Sequence, residues 1–256
     1  MLNHDKGHLE TGGLARYARQ IIIPGIGREG QEKLRESHVL VAGIGGLGSL
    51  SSLYLCAAGV GHLTIVDSGC VQVSDLNRQI IYSEKDIGER KVFVAQRRLS
   101  EKNSDVEINP VAVEIGEENV SELMRDVDIV VDGTDSFKTR LVLNAACVGE
   151  KLPYVYGGIF GLKGTASTII PGQTPCLECF LTHKEATDSP IPVIGPIVGS
   201  IAAIQVMEVF NLILHLGDSL AGKLLVFDAR KMTFGKFEIK RKKNCGACSG
   251  VRAPAE

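Results

Sequence analysis

Four of the seven cysteines have the spacing of a metal site. They form two Cys-X-X-Cys pairs within PCLEC and NCGAC, which contain Cys176, Cys179, Cys245 and Cys248. Four thiolates make a tetrahedral Zn²⁺ site with no open position for a reacting water, so such a site is structural. The alternative is two redox-active pairs, which require a thioredoxin-like context that the sequence does not show. We therefore predict a structural Zn²⁺ site that joins residues 245–248 to the middle of the chain.

A glycine-rich turn, GIGGLGS, follows the apolar stretch HVLVA. Gly43, Gly45 and Gly48 have the spacing of a nucleotide-binding turn between a strand and a helix, and Gly46 leaves further room for backbone N–H groups near a phosphate. Asp67 ends the next strand about twenty residues on, where a carboxylate can bind ribose hydroxyls. A tight turn without a ligand is the alternative. The pattern predicts a nucleotide site but does not distinguish NAD from ATP.

Two cations after this strand favour a triphosphate. Arg78 lies in SDLNRQ, and Lys91 begins the basic helical stretch that follows GER. A dehydrogenase needs no such pair beyond its glycine turn, whereas a triphosphate that loses pyrophosphate needs its developing charge neutralised. Taken separately, Lys91 could be a solvated helix residue and Arg78 could form a surface salt bridge. Together they predict that the nucleotide is ATP.

An acidic motif, DGTDS, ends a third apolar strand. Carboxylates at the carboxyl ends of parallel strands face the ligand crevice, and Mg²⁺ in nucleotide sites is typically held by one or two carboxylates with phosphate oxygens. Asp135 is therefore the candidate Mg²⁺ ligand. The alternative is that Asp132 or Asp135 only caps the following helix.

The order of elements predicts an α/β fold. The apolar runs VLVAG, LTIVD and DIVVDGTD alternate with helical stretches, which indicates a parallel sheet covered on both faces. From about residue 153 the chain has glycine-punctuated strands, and two more strands precede the last Cys-X-X-Cys pair. We predict a Rossmann-like, doubly wound, mostly parallel sheet extended by antiparallel strands. It forms one domain over 1–256, with a nucleotide-binding half at 10–150 and a zinc-containing half at 151–256.

Composition excludes several classes of protein. The chain of 256 residues is 44% hydrophobic with a net charge of −2, so it should bury a core and has no electrostatic attraction to nucleic acid or an anionic membrane. Residues 190–207 carry no charge and are long enough for a membrane-spanning helix. Three prolines in the first half favour instead a loop leading into a buried helix. The polar first ten residues do not read as a signal peptide, and unpaired cysteines suit a reducing compartment. We expect a cytoplasmic protein.

The motifs together resemble one family. RYARQI, GIGGLGS, SDLNRQ, DGTDS and the paired Cys-X-X-Cys motifs occur in this order in the MoeB/ThiF/HesA adenylyltransferases, relatives of the ubiquitin-activating enzymes. The resemblance covers residues 14 to 248. It implies an enzyme that uses MgATP to adenylate the C-terminal Gly-Gly carboxylate of a ubiquitin-like sulfur carrier, similar to MoaD or ThiS. The carrier then receives sulfur, from a cysteine desulfurase or another donor, for molybdopterin, thiamine or related synthesis.

The resemblance also assigns roles to single residues. The nucleotide-binding set is Gly43, Gly45, Gly46, Gly48, Asp67, Asp75, Arg78, Lys91 and Asp135, and the catalytic set is Arg19, Arg78, Lys91 and Asp135. Arg19 matches an arginine that reaches the ATP of a neighbouring subunit, which implies a homodimer. Two positions depart from the family: Asp75 stands where Asn is usual, and Asp188 lies near the place of a family cysteine. The second departure disfavours a covalent step on this protein.

Three rival functions remain. An NAD-dependent Rossmann oxidoreductase leaves Arg78, Lys91 and the cysteine pairs unexplained. A non-catalytic scaffold that binds a ubiquitin-like protein would not need the triphosphate-binding set. A third reading, within the family, is an enzyme that activates a tRNA base or a peptide carboxylate. In the sulfur-carrier reading, residues 151–256 also bind the carrier.

Overall fold

One eight-stranded sheet forms the centre of the protein, in a computed structural model that describes residues 14–181 and 191–250. The strand order is β3-β2-β1-β4-β5-β6-β7-β8. The first five strands in this order run parallel, and β5 to β8 pair antiparallel. This confirms the predicted mostly parallel sheet with an antiparallel extension. The strands are β1 His38–Ala42, β2 His62–Val66, β3 Glu107–Val111, β4 Ile129–Asp132, β5 Tyr154–Phe160, β6 Lys163–Ile169, β7 Lys223–Asp228 and β8 Thr233–Glu238.

Seven α-helices in the described residues connect these strands or flank the sheet. They are α1 Ala18–Ile21, α2 Gly27–Glu36, α3 Gly46–Ala58, α4 Lys91–Lys102, α5 Val120–Leu123, α6 Phe137–Glu150 and α7 Gly195–Leu214. Short 3₁₀ turns cover Leu14–Tyr17, Val73–Asp75, Glu84–Asp86 and Leu177–Cys179. The sequence pattern predicts helices over 88–101 and 136–149, and they are present as α4 and α6 with ends shifted by one to three residues.

Both faces of the parallel strands are covered. Val39 and Val41 of β1 belong to a core cluster that includes side chains from α2, α3, α4 and α7. The alternate residues, Leu40 and Ala42, belong to a second cluster with side chains from α5 and α6. Successive residues of a strand point to opposite faces, so a strand buried on both faces must be apolar throughout. This is why HVLVA reads as a continuous apolar run.

The strand order reverses beside β1. The chain proceeds from β1 to β2 and β3 on one side, and then crosses back to place β4 on the other side of β1. In doubly wound sheets a crevice opens at the carboxyl ends of the strands where the order reverses, because the connecting loops diverge there. The turn after β1 and the loop after β4 therefore meet at the expected place for a ligand.

The long apolar helix α7 lies inside the fold. It begins at Gly195 with Pro196 in its first turn, as predicted for a loop leading into a buried helix, although Pro190 lies outside the described residues. By length and composition alone α7 could cross a membrane, with a mean hydropathy of 1.9. Ile201, Ala202 and Val209 are nonetheless fully buried. A core helix of a folded domain accounts for its composition.

Candidate nucleotide site and cysteine cluster

A cavity of about 610 Å³ lies at the carboxyl ends of the parallel strands. Its lining comes from the turn after β1, the segments that follow β2, β3 and β4, and the residues that lead into α7. The sequence-predicted residues that line it are Gly43, Gly45, Gly46, Asp67, Asp75, Arg78, Lys91 and Asp135. The fold therefore brings these residues, which span more than ninety positions, to one site.

The glycines of the turn have two different roles. Gly43 has a φ of +86°, and a Cβ atom there would lie 2.9 Å from the carbonyl group of Gly133. A Cβ at Gly48 would lie only 1.8 Å from the Gly43 oxygen, and one at Gly133 would lie 2.3 Å from the same oxygen. Gly45, in contrast, has only Gln79 Nε2 nearby, at 3.8 Å. Gly43, Gly48 and Gly133 thus permit close backbone packing, and Gly45 leaves open space.

Helix α3 begins at this turn, and no side chain caps its first turn. Its N-cap residue is Gly45, which has no side chain to bond the first N–H groups. Those N–H groups have no acceptor inside the helix, and the helix dipole adds a partial positive charge at this end. The turn can therefore bind a phosphate through backbone groups.

Asp67 is held in place by the backbone. Its Oδ2 accepts the N–H of Ile44 at 2.8 Å, and its Oδ1 accepts the N–H of Gly69 at 2.7 Å. Each carboxylate oxygen retains a second lone-pair direction. The half-buried Asp67 can thus accept hydroxyl groups of a sugar without reorienting.

The two predicted cations meet at Asp75. Lys91 Nζ lies 3.1 Å from Asp75 Oδ2, and Arg78 Nη2 lies 3.5 Å from Asp75 Oδ1. Arg78 also donates through Nη1 to the carbonyl oxygen of Ser74 at 2.7 Å. The side chains of Lys91 and Arg78 are 14% and 24% exposed. Lys91 is therefore not a solvated helix residue, and the ion pair that Arg78 forms is with a buried carboxylate in the cavity lining.

Arg140 is a cavity residue that the sequence did not reveal. Its Nε donates to Asp132 Oδ2 at 2.8 Å, and its Nη2 donates to the carbonyl oxygens of Thr134 at 2.6 Å and Gly157 at 2.9 Å. Burial lowers the pKa of the Arg140 guanidinium, but the buried Asp132 carboxylate more than compensates, so that pKa lies above its ordinary value. No local pattern in the sequence distinguishes Arg140 from the other polar residues of α6. Arg140 fixes the β4–α6 loop against β5.

The two acids of DGTDS, Asp132 and Asp135, have different surroundings. Ser136 caps α6, because its Oγ accepts the N–H of Thr139 at 3.2 Å. Asp132 is fully buried and engaged by Arg140 and Thr134. Asp135 is exposed and lines the cavity. The helix-cap alternative for these two acids is therefore wrong, and Asp135 offers its carboxylate to the cavity.

Arg19 does not belong to this cavity. It is an exposed residue of α1, and its neighbour Gln20 donates to the carbonyl oxygen of Ala58 at the far end of α3. Thirteen residues of α-helix span roughly 20 Å, which places Arg19 that far from the turn at Gly46. Within one chain Arg19 cannot reach the nucleotide site.

The four predicted zinc ligands converge on one point. All four sulfur atoms lie within 4.8 Å of one another, and all four cysteines are buried. Cys176 Sγ lies 3.5 Å from Cys245 Sγ, and Cys179 Sγ lies 3.6 Å from Cys248 Sγ. Tetrahedral Zn²⁺ with bonds of about 2.3 Å places its sulfurs roughly 3.8 Å apart, so the cluster is compatible with zinc. The closest contacts join the two pairs, as one shared site requires and two separate redox pairs do not.

Two contacts support the cluster from outside. Asn144 Oδ1 on α6 accepts the N–H of Leu177 at 2.8 Å. Lys242 Nζ donates to the carbonyl oxygen of Glu178 at 2.7 Å. The first contact ties the first cysteine pair to the sheet-covering helix, and the second ties it to the segment that contains the second pair. The cluster therefore joins the C-terminal part of the described chain to the body of the fold.

Comparison with known proteins places the chain in a class of enzyme. It is 37% identical to the sulfur carrier protein adenylyltransferase of Thermus thermophilus over 246 residues, which cover 92% of this chain and 90% of that protein. The chain is accordingly an enzyme of adenylyltransferase type. The sequence model of the ThiF family matches residues 17–247, and the chain belongs to this family.

Further relatives agree with this assignment. The vegetative HesA protein of Trichormus variabilis is 39% identical over 236 residues, covering 92% of this chain and 89% of that protein. The crystal structure of E. coli MccB with MccA-N7isoASN superposes with a TM-score of 0.83 at 22% identity, over 95% of this chain and 77% of that one. This last likeness establishes a shared fold.

The glycine packing predicts a difference between two alanine variants. Gly48→Ala should lower the free energy of unfolding by about 3 kcal/mol, because its Cβ would overlap the Gly43 carbonyl. Gly45→Ala should lose far less, since only Gln79 lies nearby. Urea denaturation of both variants measures the difference. Equal losses would contradict the packing role of Gly48.

The cysteine cluster predicts linked losses of metal and stability. Cys176→Ser should lower the bound zinc per chain and the Tm together, because metal binding contributes directly to folding. Elemental analysis and differential scanning calorimetry measure the two quantities. Cys70→Ser is the matched control, since Cys70 is exposed and outside the cluster. Unchanged zinc content in Cys176→Ser would sink the four-thiolate site.

Proposed function

We propose that this protein uses MgATP to adenylate the C-terminal carboxylate of a ubiquitin-like sulfur-carrier protein that ends in Gly-Gly. The observation that carries the proposal is the convergence of Arg78 and Lys91 on the cavity that also contains the glycine turn and Asp67. The relatedness to a sulfur carrier protein adenylyltransferase supports the carrier as substrate. Likeness to MccB, which has a solved structure with ATP, supports the nucleotide.

The chemistry needs positioning and charge more than acid-base groups. A chain-terminal carboxylate has a pKa near ~3.5, so it is already ionised at neutral pH and can attack the α-phosphorus without a general base. The described residues that line the cavity include neither histidine nor cysteine. The α3 N-terminus and the cations would hold the phosphates in line for this attack, and they would stabilise the departing pyrophosphate.

The charge of the cavity supports a divalent cation. Its described lining has three cations, Arg78, Lys91 and Arg140, and four acids, Asp67, Asp75, Glu114 and Asp135. A triphosphate entering with about four negative charges meets a site that is not positive overall, so the nucleotide needs an accompanying cation. Asp135 has no hydrogen bond or ion pair to another described residue and can serve as a Mg²⁺ ligand. Mg²⁺ held by Asp135 would supply positive charge that offsets the charge developing on the leaving pyrophosphate.

A homodimer would explain the exposed Arg19. Arg19 lies beside Ile22 and Ile23, which are 72% and 48% exposed. Large apolar side chains in a surface turn are typical of interfaces. We include a second copy of the chain in the proposal, with Arg19 of each copy directed to the other's nucleotide. The proposal also includes a cytoplasmic location and a separate sulfur donor. Asp188, the residue near the place of the family cysteine, lies outside the described residues.

The rival functions predict different ligands. An NAD-dependent oxidoreductase would leave the Asp75–Lys91–Arg78 group without a role, because the turn already serves a pyrophosphate. A scaffold for a ubiquitin-like protein would bind its partner without consuming ATP. An activator of a peptide or a tRNA base would consume ATP without a Gly-Gly carrier.

Carrier-dependent exchange of pyrophosphate into ATP tests the proposal. The wild-type protein with MgATP and a panel of Gly-Gly carriers should show exchange, and Asp135→Asn should reduce it at least about 100-fold. Asp105→Asn is the control, since Asp105 is an exposed acid outside the cavity lining. Full activity in Asp135→Asn would rule out Asp135 as a Mg²⁺ ligand. Absence of exchange with every carrier would contradict the proposal that the substrate is a Gly-Gly carrier.

A further inference from the structure

Asp75 is a buried carboxylate that contacts both predicted cations of the cavity. It is 5% exposed. Its Oδ2 accepts the N–H of Gln72 at 3.0 Å and lies 3.1 Å from Lys91 Nζ. Its Oδ1 accepts Gln79 Nε2 at 2.7 Å and lies 3.5 Å from Arg78 Nη2. Two hydrogen bonds and two ion-pair contacts therefore surround this carboxylate.

This arrangement separates Asp75 from the other cavity acids. Asp67 retains lone pairs for a ribose, and Asp135 has no partner among the described residues. Asp75 instead contacts both Arg78 and Lys91. It can therefore affect a bound nucleotide through these two cations.

The contacts with Asp75 have two opposing effects on phosphate binding by these cations. Asp75 orders both side chains, so less rotamer entropy is lost when they bind phosphate. Its negative charge also offsets one of their positive charges, at a site too buried for solvent to screen it fully. The pair is thus preorganised but weakened as an anion site.

We propose that Asp75 is a positioning residue that orders Arg78 and Lys91 and limits how tightly they hold a polyphosphate without Mg²⁺. The inference rests on the proposed function, in which these cations bind the phosphates of ATP. A weakened grip lets pyrophosphate leave after adenylation, and it gives preference to a nucleotide that arrives with Mg²⁺. With an uncharged residue at position 75, free pyrophosphate would bind two unopposed cations.

Asp75→Asn tests the charge with little change in shape. The amide oxygen can still accept from Gln72 or Gln79, but the negative charge is gone. Isothermal titration calorimetry with sodium pyrophosphate, and with ATP in the presence of EDTA, should show binding at least about fivefold tighter than wild type. Binding of MgATP should change less, because the metal already carries part of the compensating charge.

Asp86→Asn is the matched control. Asp86 also ends a short 3₁₀ turn, accepts the N–H of Ser83 at 2.8 Å, and pairs with two arginines, Arg97 and Arg98, each at 3.4 Å. It lies outside the cavity lining. Both variants should lose some stability, since each removes a buried, paired carboxylate. Only Asp75→Asn should gain affinity for pyrophosphate, which a purely structural role would not produce.

The outcomes distinguish the two proposals. If wild type binds MgATP and Asp75→Asn binds pyrophosphate no more tightly than wild type, this inference is wrong and the proposed function stands. If the wild-type protein binds neither pyrophosphate nor MgATP, the proposed function is wrong and the inference falls with it. An equal gain in Asp86→Asn would also overturn the inference, because the effect would not come from the cavity.

Discussion

Close backbone packing among three glycines determines where the nucleotide cavity forms. The carbonyl oxygen of Gly43 lies where a Cβ atom at Gly48 or Gly133 would have to be. Because none of the three has a side chain, the turn after β1 can lie directly against the loop after β4. That contact stands at the reversal of the strand order, the point at which the sheet opens. This contact makes the glycine turn and the acidic DGTDS loop neighbours.

Buried carboxylates hold the charged side chains of this cavity in place. Asp132 fixes Arg140, and Asp75 fixes Arg78 and Lys91. Removing one partner of a buried pair leaves the other charge uncompensated, which costs more than an exposed ion pair would. The cavity is therefore built from preorganised charges whose sum is not positive. Such a site favours a ligand that binds together with a metal ion, and it allows an anionic product to dissociate.

The cysteine cluster secures the opposite end of the sequence. Four buried sulfurs join two loops that are separated by more than sixty residues along the chain, one of them anchored to α6 through Asn144. The segment after β8 is also held by Arg241, which donates to the carbonyl oxygens of Gly172 and Thr174, and by Lys242. The cysteine cluster thus adds to contacts that complete the fold, at a place separate from the cavity.

Local patterns predicted much of this arrangement. Strand ends in a parallel sheet share one edge, so Asp67 and Asp135 could be expected beside the glycine turn. Ligand spacing was sufficient for the four cysteines. Gly133, Arg140 and the partners of Asp75 could not be predicted, because their roles depend on contacts between distant segments that leave no periodic signal. Arg19 was predicted to reach the nucleotide of a second copy; the structure places it far from the cavity of its own chain, and its role stays a prediction.

The central claim is that the cavity binds ATP with a divalent cation. Calorimetric titration of the wild-type protein with a non-hydrolysable ATP analogue, with and without Mg²⁺, and separately with NAD⁺, tests it most directly. The analogue should bind, its binding should strengthen with Mg²⁺, and NAD⁺ should give no measurable heat. Binding of NAD⁺, or no binding of the analogue under either condition, would contradict it.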